Sequence, residues 1–136
     1  MREIKFRGRS TDDGFWIYGF GVFECRLSEK RAEVLGRESE FYIYTERGVF
    51  PVHGESIGQY TGLKDKNNTE IYEGDIFEST SKFSVPDELN LGTVSFSEVN
   101  GYQWEQWDLD NIEVIGKVYE SPEILEKWYE EGLEDQ

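Results

Sequence analysis

The sequence predicts a mainly β protein: a small SH3-like barrel or roll with an N-terminal β-hairpin extension and a short C-terminal α-helix. Three observations lead there. Apolar and aromatic residues recur at alternate positions along most of the chain, as on half-buried strands. Turn-forming residues interrupt these runs at close intervals. A capped, amphipathic stretch lies near the end, at residues 121–132. At 136 residues the chain fits a single domain with one core, burying roughly two-thirds of its unfolded surface. Within it, residues 1–56 read as the hairpin region, 57–120 as the barrel and 121–132 as the helix.

The first segment, "REIKFRGRS", alternates: Ile4 and Phe6 point one way and Lys5, Arg7 and Arg9 the other, which predicts a strand with a basic face. Thr11-Asp12-Asp13-Gly14 forms a turn into "FWIYGFGVFEC", a second strand interrupted by Gly19 and Gly21. Glycines inside a strand pattern mark a bulge or a close backbone approach, so this hairpin is expected to bend. Residues 28–40 are charged and mixed, a loop with a short helix at most. "EFYIYTE" and "GVFPVHG" read as a hairpin around Glu46-Arg47-Gly48, with Pro51 at an edge or irregular position.

The stretch "IGQYTGLKDKNNTEIYEGDIF", residues 57–77, approaches through Ile57 to Leu63, turns over a polar tip from Asp65 to Thr69, and returns through Ile71 to Phe77. Asparagine tolerates positive φ better than any residue except glycine, so Asn67-Asn68 is a workable turn. Gly58, Gly62 and Gly74 fall where the backbone needs room, and Tyr60, Leu63, Ile71, Tyr72, Ile76 and Phe77 are core or interface candidates. Residues 79–91 are polar with one proline and read as a mobile insertion. "GTVSFSEV" and "GYQWEQW" alternate again across Asn100-Gly101, a strong hairpin signal. After a last strand, "IEVIGKVYE", Ser121 caps a helix, Pro122 suits its first position and Gly132 stops it. Ile124, Leu125, Trp128 and Tyr129 share one face, which should lie against the sheet or a neighbouring subunit. The order from "EGDIF" onward suits an SH3-like roll whose first barrel strand opens at Gly74-Asp75.

Charge bounds the function classes. A net charge of −15 argues against direct binding to a phosphate backbone, which needs clustered Lys and Arg. Residues 1–56 carry nine basic and ten acidic side chains and residues 57–136 carry five and nineteen, so the two parts hold −1 and −14. Every arginine lies at or before Arg47. Such asymmetry suits a solvated acidic tail, or an arginine-bearing part that docks on an acidic one within or between chains. No apolar run approaches the roughly 20 residues of a membrane helix, and Met1-Arg2-Glu3-Ile4-Lys5 lacks the apolar core of a signal peptide, so a cytoplasmic protein without membrane contact is expected. Cys25 is the only cysteine, which precludes an internal disulfide.

The candidate reactive groups each meet an objection. A Cys25 nucleophile would need His53, the only histidine, as its base, whereas a lone cysteine in an aromatic strand usually packs. Asp65, Asn67 and Thr69 alternate like calcium-loop ligands, but Glu70 stands where that loop needs glycine and Ile76 where it needs glutamate. Glu73 and Asp75 would share a side if extended and could hold a magnesium ion with waters, although such sites usually also need a substrate phosphate. Asn67-Asn68-Thr69 matches a glycosylation sequon, which has no meaning for a chain that stays in the cytoplasm. Tyr102, Trp104, Glu105, Trp107 and Asp108 place rings beside carboxylates as sugar-cleaving clefts do, yet in a strand Tyr102 and Trp104 face away from Glu105 and Trp107. No phosphate loop, nucleophile elbow or His/Cys metal spacing occurs, so no catalytic residue, metal ligand or cofactor is assigned.

Three blocks, "REIKFRGR" with "GFWIYGF", the 57–77 stretch, and "IEVIGKVYESPEIL", closely resemble the YopX family of phage and prophage proteins. They cover about half of the chain, and the middle block is highly specific. The family usually carries glycine after the turn asparagine, where this chain has Asn68. The resemblance implies a β-rich fold with an SH3-like barrel, a phage or prophage origin and a bacterial cytoplasm, and it implies no reaction. The expected function is a non-catalytic binding or assembly module, a homo-oligomer associating through its basic-faced hairpin or its aromatic C-terminal helix, with a host or phage protein as a further partner. The alternatives are an acidic nucleic-acid mimic that blocks a host DNA- or RNA-binding protein, and a small hydrolase using Glu105 or Asp108.

Overall fold

The computed structural model describes residues 3–80, 89–97, 101, 102 and 111–127. These form a mainly β protein of antiparallel ladders, divided into two compact units, Met1–Tyr60 and Thr61–Gln136.

In the first unit, β1 (Phe6–Arg9) pairs with β2 (Trp16–Gly19). The connecting turn is held by Ser10, whose N–H donates to the Phe15 carbonyl at 2.8 Å and whose Oγ accepts the Asp12 N–H at 3.1 Å. Phe20 breaks the aromatic run, and β3 (Gly21–Arg26) pairs instead with β4 (Ser39–Thr45), which pairs in turn with β5 (Gly48–Val52). The expected bend is therefore a change of ladder. It turns on Gly19, where a Cβ would collide with the Tyr44 carbonyl oxygen and the Ile43 side chain. The charged stretch folds as one short helix, α1 (Glu29–Leu35), with Ser28 Oγ accepting the Arg31 N–H and Gly36 closing it at φ 70°. Pro51 sits on β5, an edge of the three-stranded sheet, as expected.

The first strand departs from its expected polarity. Ile4 is 64% exposed while Arg7 is only 3% exposed, its guanidinium lying 5.2 Å from the centroid of the Trp16 ring. A planar, weakly hydrated guanidinium can stack on an aromatic face in a way the alternation pattern does not encode. Gly8, on the opposite side, sits against Ile43 and Val52, so the strand is covered on both sides and has no free basic face.

The strand β6 (Gly58–Lys64) opens beside β1, with Gly58 facing Arg7, and its later residues belong to the second unit. There Thr61 Oγ1 donates to the Ile71 carbonyl at 2.8 Å across to β7 (Glu70–Tyr72). The return run does not continue to Phe77. Gly74, at φ 88°, turns the chain, and Asp75 opens β8 (Asp75–Thr80). This strand lies between β9 (Leu89–Thr93) and β12 (Glu113–Lys117). Because the ladder reaches the pair Thr80 and Leu89, the insertion expected over 79–91 is in strand at both ends, and only 81–88 lie outside the described residues. The short strands β10 (Phe96–Ser97) and β11 (Gly101–Tyr102) pair as a hairpin, but with Ser97 opposite Gly101, so Gly101 belongs to the ladder and not to a turn with Asn100, which lies outside the described residues. Among the described residues the ladders stay open and do not close into a barrel.

The core of this unit is Ile71, Phe77, Val94 and Ile112, with Val114 packed against it. Of the six predicted core or interface residues, Tyr60, Ile71, Tyr72, Ile76 and Phe77 are buried, whereas Leu63 is 37% exposed. Residues 123–127 are helical, and a side chain at Gly116 of β12 would run into Ile124, so the helix starts against the sheet. Trp128, Tyr129 and Gly132 lie outside the described residues. No described helix is long and apolar enough to cross a membrane.

Candidate functional site

Among the described residues the candidate groups are not brought together as reactive sets. Cys25 stands opposite Glu40 in the β3–β4 ladder, while the His53 N–H donates to the Arg9 carbonyl at 2.9 Å. The Asp65 carboxylate is engaged on both oxygens: Oδ1 accepts the N–H of Asn67 and Thr69 at 2.8 and 2.9 Å, and Oδ2 accepts that of Val114 at 3.0 Å. It is a turn organiser, and a cation would have to displace these donors. Glu73 and Asp75 do not extend along one side, because the left-handed Gly74 reverses the chain between them. Asp75 is fully buried, with Oδ2 accepting the Tyr72 N–H at 2.8 Å, and Glu73 is half-buried in the turn. Among the described residues no three His, Cys, Asp or Glu gather as a cation site. Of the ring-and-acid cluster, Tyr102 lies in β11, and Trp104, Glu105, Trp107 and Asp108 fall outside the described residues.

The first unit carries a surface that the sequence analysis did not single out. Cross-strand partners share a face and neighbours along a strand alternate. One face of β3–β4–β5 therefore holds Ile43 and Val52, at 0% and 3% exposure. The other holds Phe23, Tyr42, Tyr44 and Val49. On that outer face Phe23 is 46% exposed and Val49 48%, and the Phe23 ring lies 6.3 Å from Tyr42 and 6.4 Å from Tyr44. The signal was present in "FWIYGFGVFEC" and "EFYIYTE", where rings occupy both parities and one core can cover only one of them.

Beside this face an open cleft of about 710 Å³ is lined by Glu24, Arg37, Glu40, Tyr42, His53 and Glu55, among others. At its wall the Tyr42 hydroxyl donates to Glu40 Oε2 at 2.7 Å, and Arg37 and Arg31 approach Glu40 Oε1 at 3.3 and 3.6 Å. The Tyr42 hydrogen bond, with Arg31 and Arg37 and against the opposing effect of burial, holds the Glu40 carboxyl below its ordinary range. The same bond, with burial, raises the Tyr42 phenol. Both groups are thereby moved away from neutral pH, the reverse of the tuning that general acid–base catalysis requires. The arrangement fixes a carboxylate and a neutral phenol in place, which suits recognition.

Comparison with known proteins matches the family model described as YopX protein to residues 5–126. No curated protein matches. Among solved structures, the crystal structure of protein EF1440 from Enterococcus faecalis is similar, with a TM-score of 0.51 and 24% identity, covering 92% of this chain and 99% of that one. At that identity the likeness is one of fold alone.

Proposed function

From the premise that the chain belongs to the YopX family, we propose that it is a non-catalytic binding and assembly module of phage or prophage origin, acting in the bacterial cytoplasm and self-associating through the β3–β4–β5 sheet. The observation that carries this reading is the outer face of that sheet, where Phe23, Tyr44 and Val49 stand 46%, 38% and 48% exposed beside one another. Contiguous exposed rings on a sheet face favour burial against another surface. On this reading the association surface lies in the first unit but on different residues from the basic-faced hairpin expected earlier, because Arg7 is buried. The second unit serves on this reading as an SH3-like roll, an assignment supported by Asp75 opening the central strand of β12–β8–β9. Sedimentation velocity across micromolar concentrations tests the proposal. Reversible association that Phe23→Ser weakens is the expected result, and a monomer at every concentration removes it.

A second reading is favoured by the charge distribution, −14 over residues 57–136: an acidic mimic of nucleic acid that occupies a basic host protein. It predicts capture by a DNA-binding protein with an affinity that falls steeply with salt. Salt-insensitive binding counts against it.

A further inference from the structure

Resting on the self-association reading, we propose that two copies join edge to edge, antiparallel, along β3, with Cys25 facing Cys25 of the second copy across a two-fold axis. The strand order is β3-β4-β5, and among the described residues nothing pairs with the outer edge of β3. Six residues of open backbone at a sheet edge are a template for another strand, which proteins normally blunt with charge. Here the edge carries one charge of each sign, Glu24 and Arg26, both exposed.

The hydrogen-bond alternation of the β3–β4 ladder fixes which residues face outward. The register sets Gly21 opposite Tyr44 through Arg26 opposite Ser39, and one step further the Leu27 N–H donates to the Glu38 carbonyl at 2.9 Å. Residues 27, 25, 23 and 21 therefore spend their backbone groups on β4. The N–H and C=O groups of Val22, Glu24 and Arg26 point to the open edge. A two-fold antiparallel pairing must match these outward residues to one another. Centring it on Glu24 or on Arg26 sets like charges face to face, and centring it on Val22 or Phe23 leaves Glu24 opposite an uncharged position. Centring it on Cys25 sets Glu24 opposite Arg26 of the second copy, twice, and gives Phe23 Leu27 of that copy as its cross-strand neighbour. Opposite charges directly across a ladder stabilise it and like charges destabilise it. In this register the two Cys25 residues form a non-hydrogen-bonded pair, whose Cα atoms sit about 4.5 Å apart, inside the range a disulfide spans.

The test is a charge-swap cycle read by sedimentation velocity, with oxidative crosslinking of the full chain as a second readout. Glu24→Arg should weaken the dimer by about tenfold, since each of two pairs becomes repulsive. The double variant Glu24→Arg/Arg26→Glu should restore it, because the opposed charges are again unlike. Diamide, which takes two electrons and two protons from a pair of thiols, should trap a Cys25-linked dimer in the wild type and far less in Glu24→Arg. A wild-type dimer that ignores the charge swaps and does not crosslink overturns the β3 edge while leaving self-association standing. A wild type that stays monomeric overturns both.

Discussion

Asp65 and Val114 are joined by a 3.0 Å hydrogen bond from the Val114 N–H to Oδ2, which ties the tip of the β6–β7 hairpin to β12. Burial opposes ionisation of this aspartate, but the N–H groups of Val114, Thr69 and Asn67 and the charge of Lys66 outweigh it and hold the carboxyl below the ordinary 3.8. The folded pKa is thus below the unfolded one. In the interval between them the unfolded chain binds more protons, so stability rises with pH there. The contribution is complete above about pH 4 and is lost as pH falls through the lowered folded value. Asp65→Asn keeps the shape but turns an amide donor toward backbone donors, and should cost about 1–3 kcal/mol at neutral pH. Urea unfolding at a series of pH values checks this. Parallel acid limbs in wild type and variant would show that Asp65 is not the titrating group.

Asn68 occupies the left-handed region, at φ 67°, where the family's usual glycine would sit without strain. Asn68→Gly should therefore leave stability unchanged or raise it by about 0.5 kcal/mol, while Asn68→Val should lower it by about 1–2 kcal/mol. Thermal denaturation of the two variants ranks them. A valine variant as stable as the glycine one would contradict the turn geometry.

Gly19 and Gly21 look alike in the sequence and differ in the structure. A Cβ on Gly19 would collide with the Tyr44 backbone carbonyl, whereas one on Gly21 would find an ordinary contact 3.5 Å from Tyr44 Cδ2. Gly19→Ala should cost about 1–3 kcal/mol because backbone must move, and Gly21→Ala should stay within about 0.5 kcal/mol. Equal losses in chemical denaturation would mean that the approach of β2 to β4 at Gly19 is not as close as described.

The contrast shows which features were legible in the sequence. Local rules found the turn at Asn68, the edge position of Pro51 and the close approach at Gly19, though not that Gly21 lacks one, because they read the backbone demands of single residue types. Alternation found the strands and most of the core, but it does not account for Ile76 and Phe77 together: neighbours in β8, they face opposite sides and both are buried, Phe77 in the cluster with Ile71, Val94 and Ile112. It could not say where a run breaks. Gly74 ends one ladder and Asp75 starts another; alternation alone runs Ile71 to Phe77 together, and only the order of the later blocks placed a strand opening at Gly74-Asp75. Nor could it say which of two usable faces is covered, which depends on the strand laid alongside. Arg7 went inside because Trp16 is there to receive it, and Phe23 and Tyr44 stayed outside because Ile43 and Val52 claimed the core. The Glu40–Tyr42 wall depends on the two-residue spacing within β4 and on arginines brought in by α1 and its C-terminal turn, a juxtaposition no linear pattern states.

That wall makes a prediction with two opposite signs. The Tyr42 hydroxyl donates to Glu40 at 2.7 Å, and this hydrogen bond leads the causes that raise the phenol above 10.0. Donation to a carboxylate favours the protonated phenol, so Glu40→Gln should bring the Tyr42 pKa back down toward the ordinary value. Arg31 acts on Tyr42 the other way, because its positive charge favours the phenolate. Arg31→Gln should accordingly raise the Tyr42 pKa further, and it should also let the Glu40 pKa climb. Tyrosine ring-carbon NMR shifts followed through alkaline titration read both variants on the same nucleus. If the two substitutions move Tyr42 in the same direction, burial and not the charge pattern governs this wall, and its role as a fixed carboxylate-and-phenol recognition surface loses its physical basis.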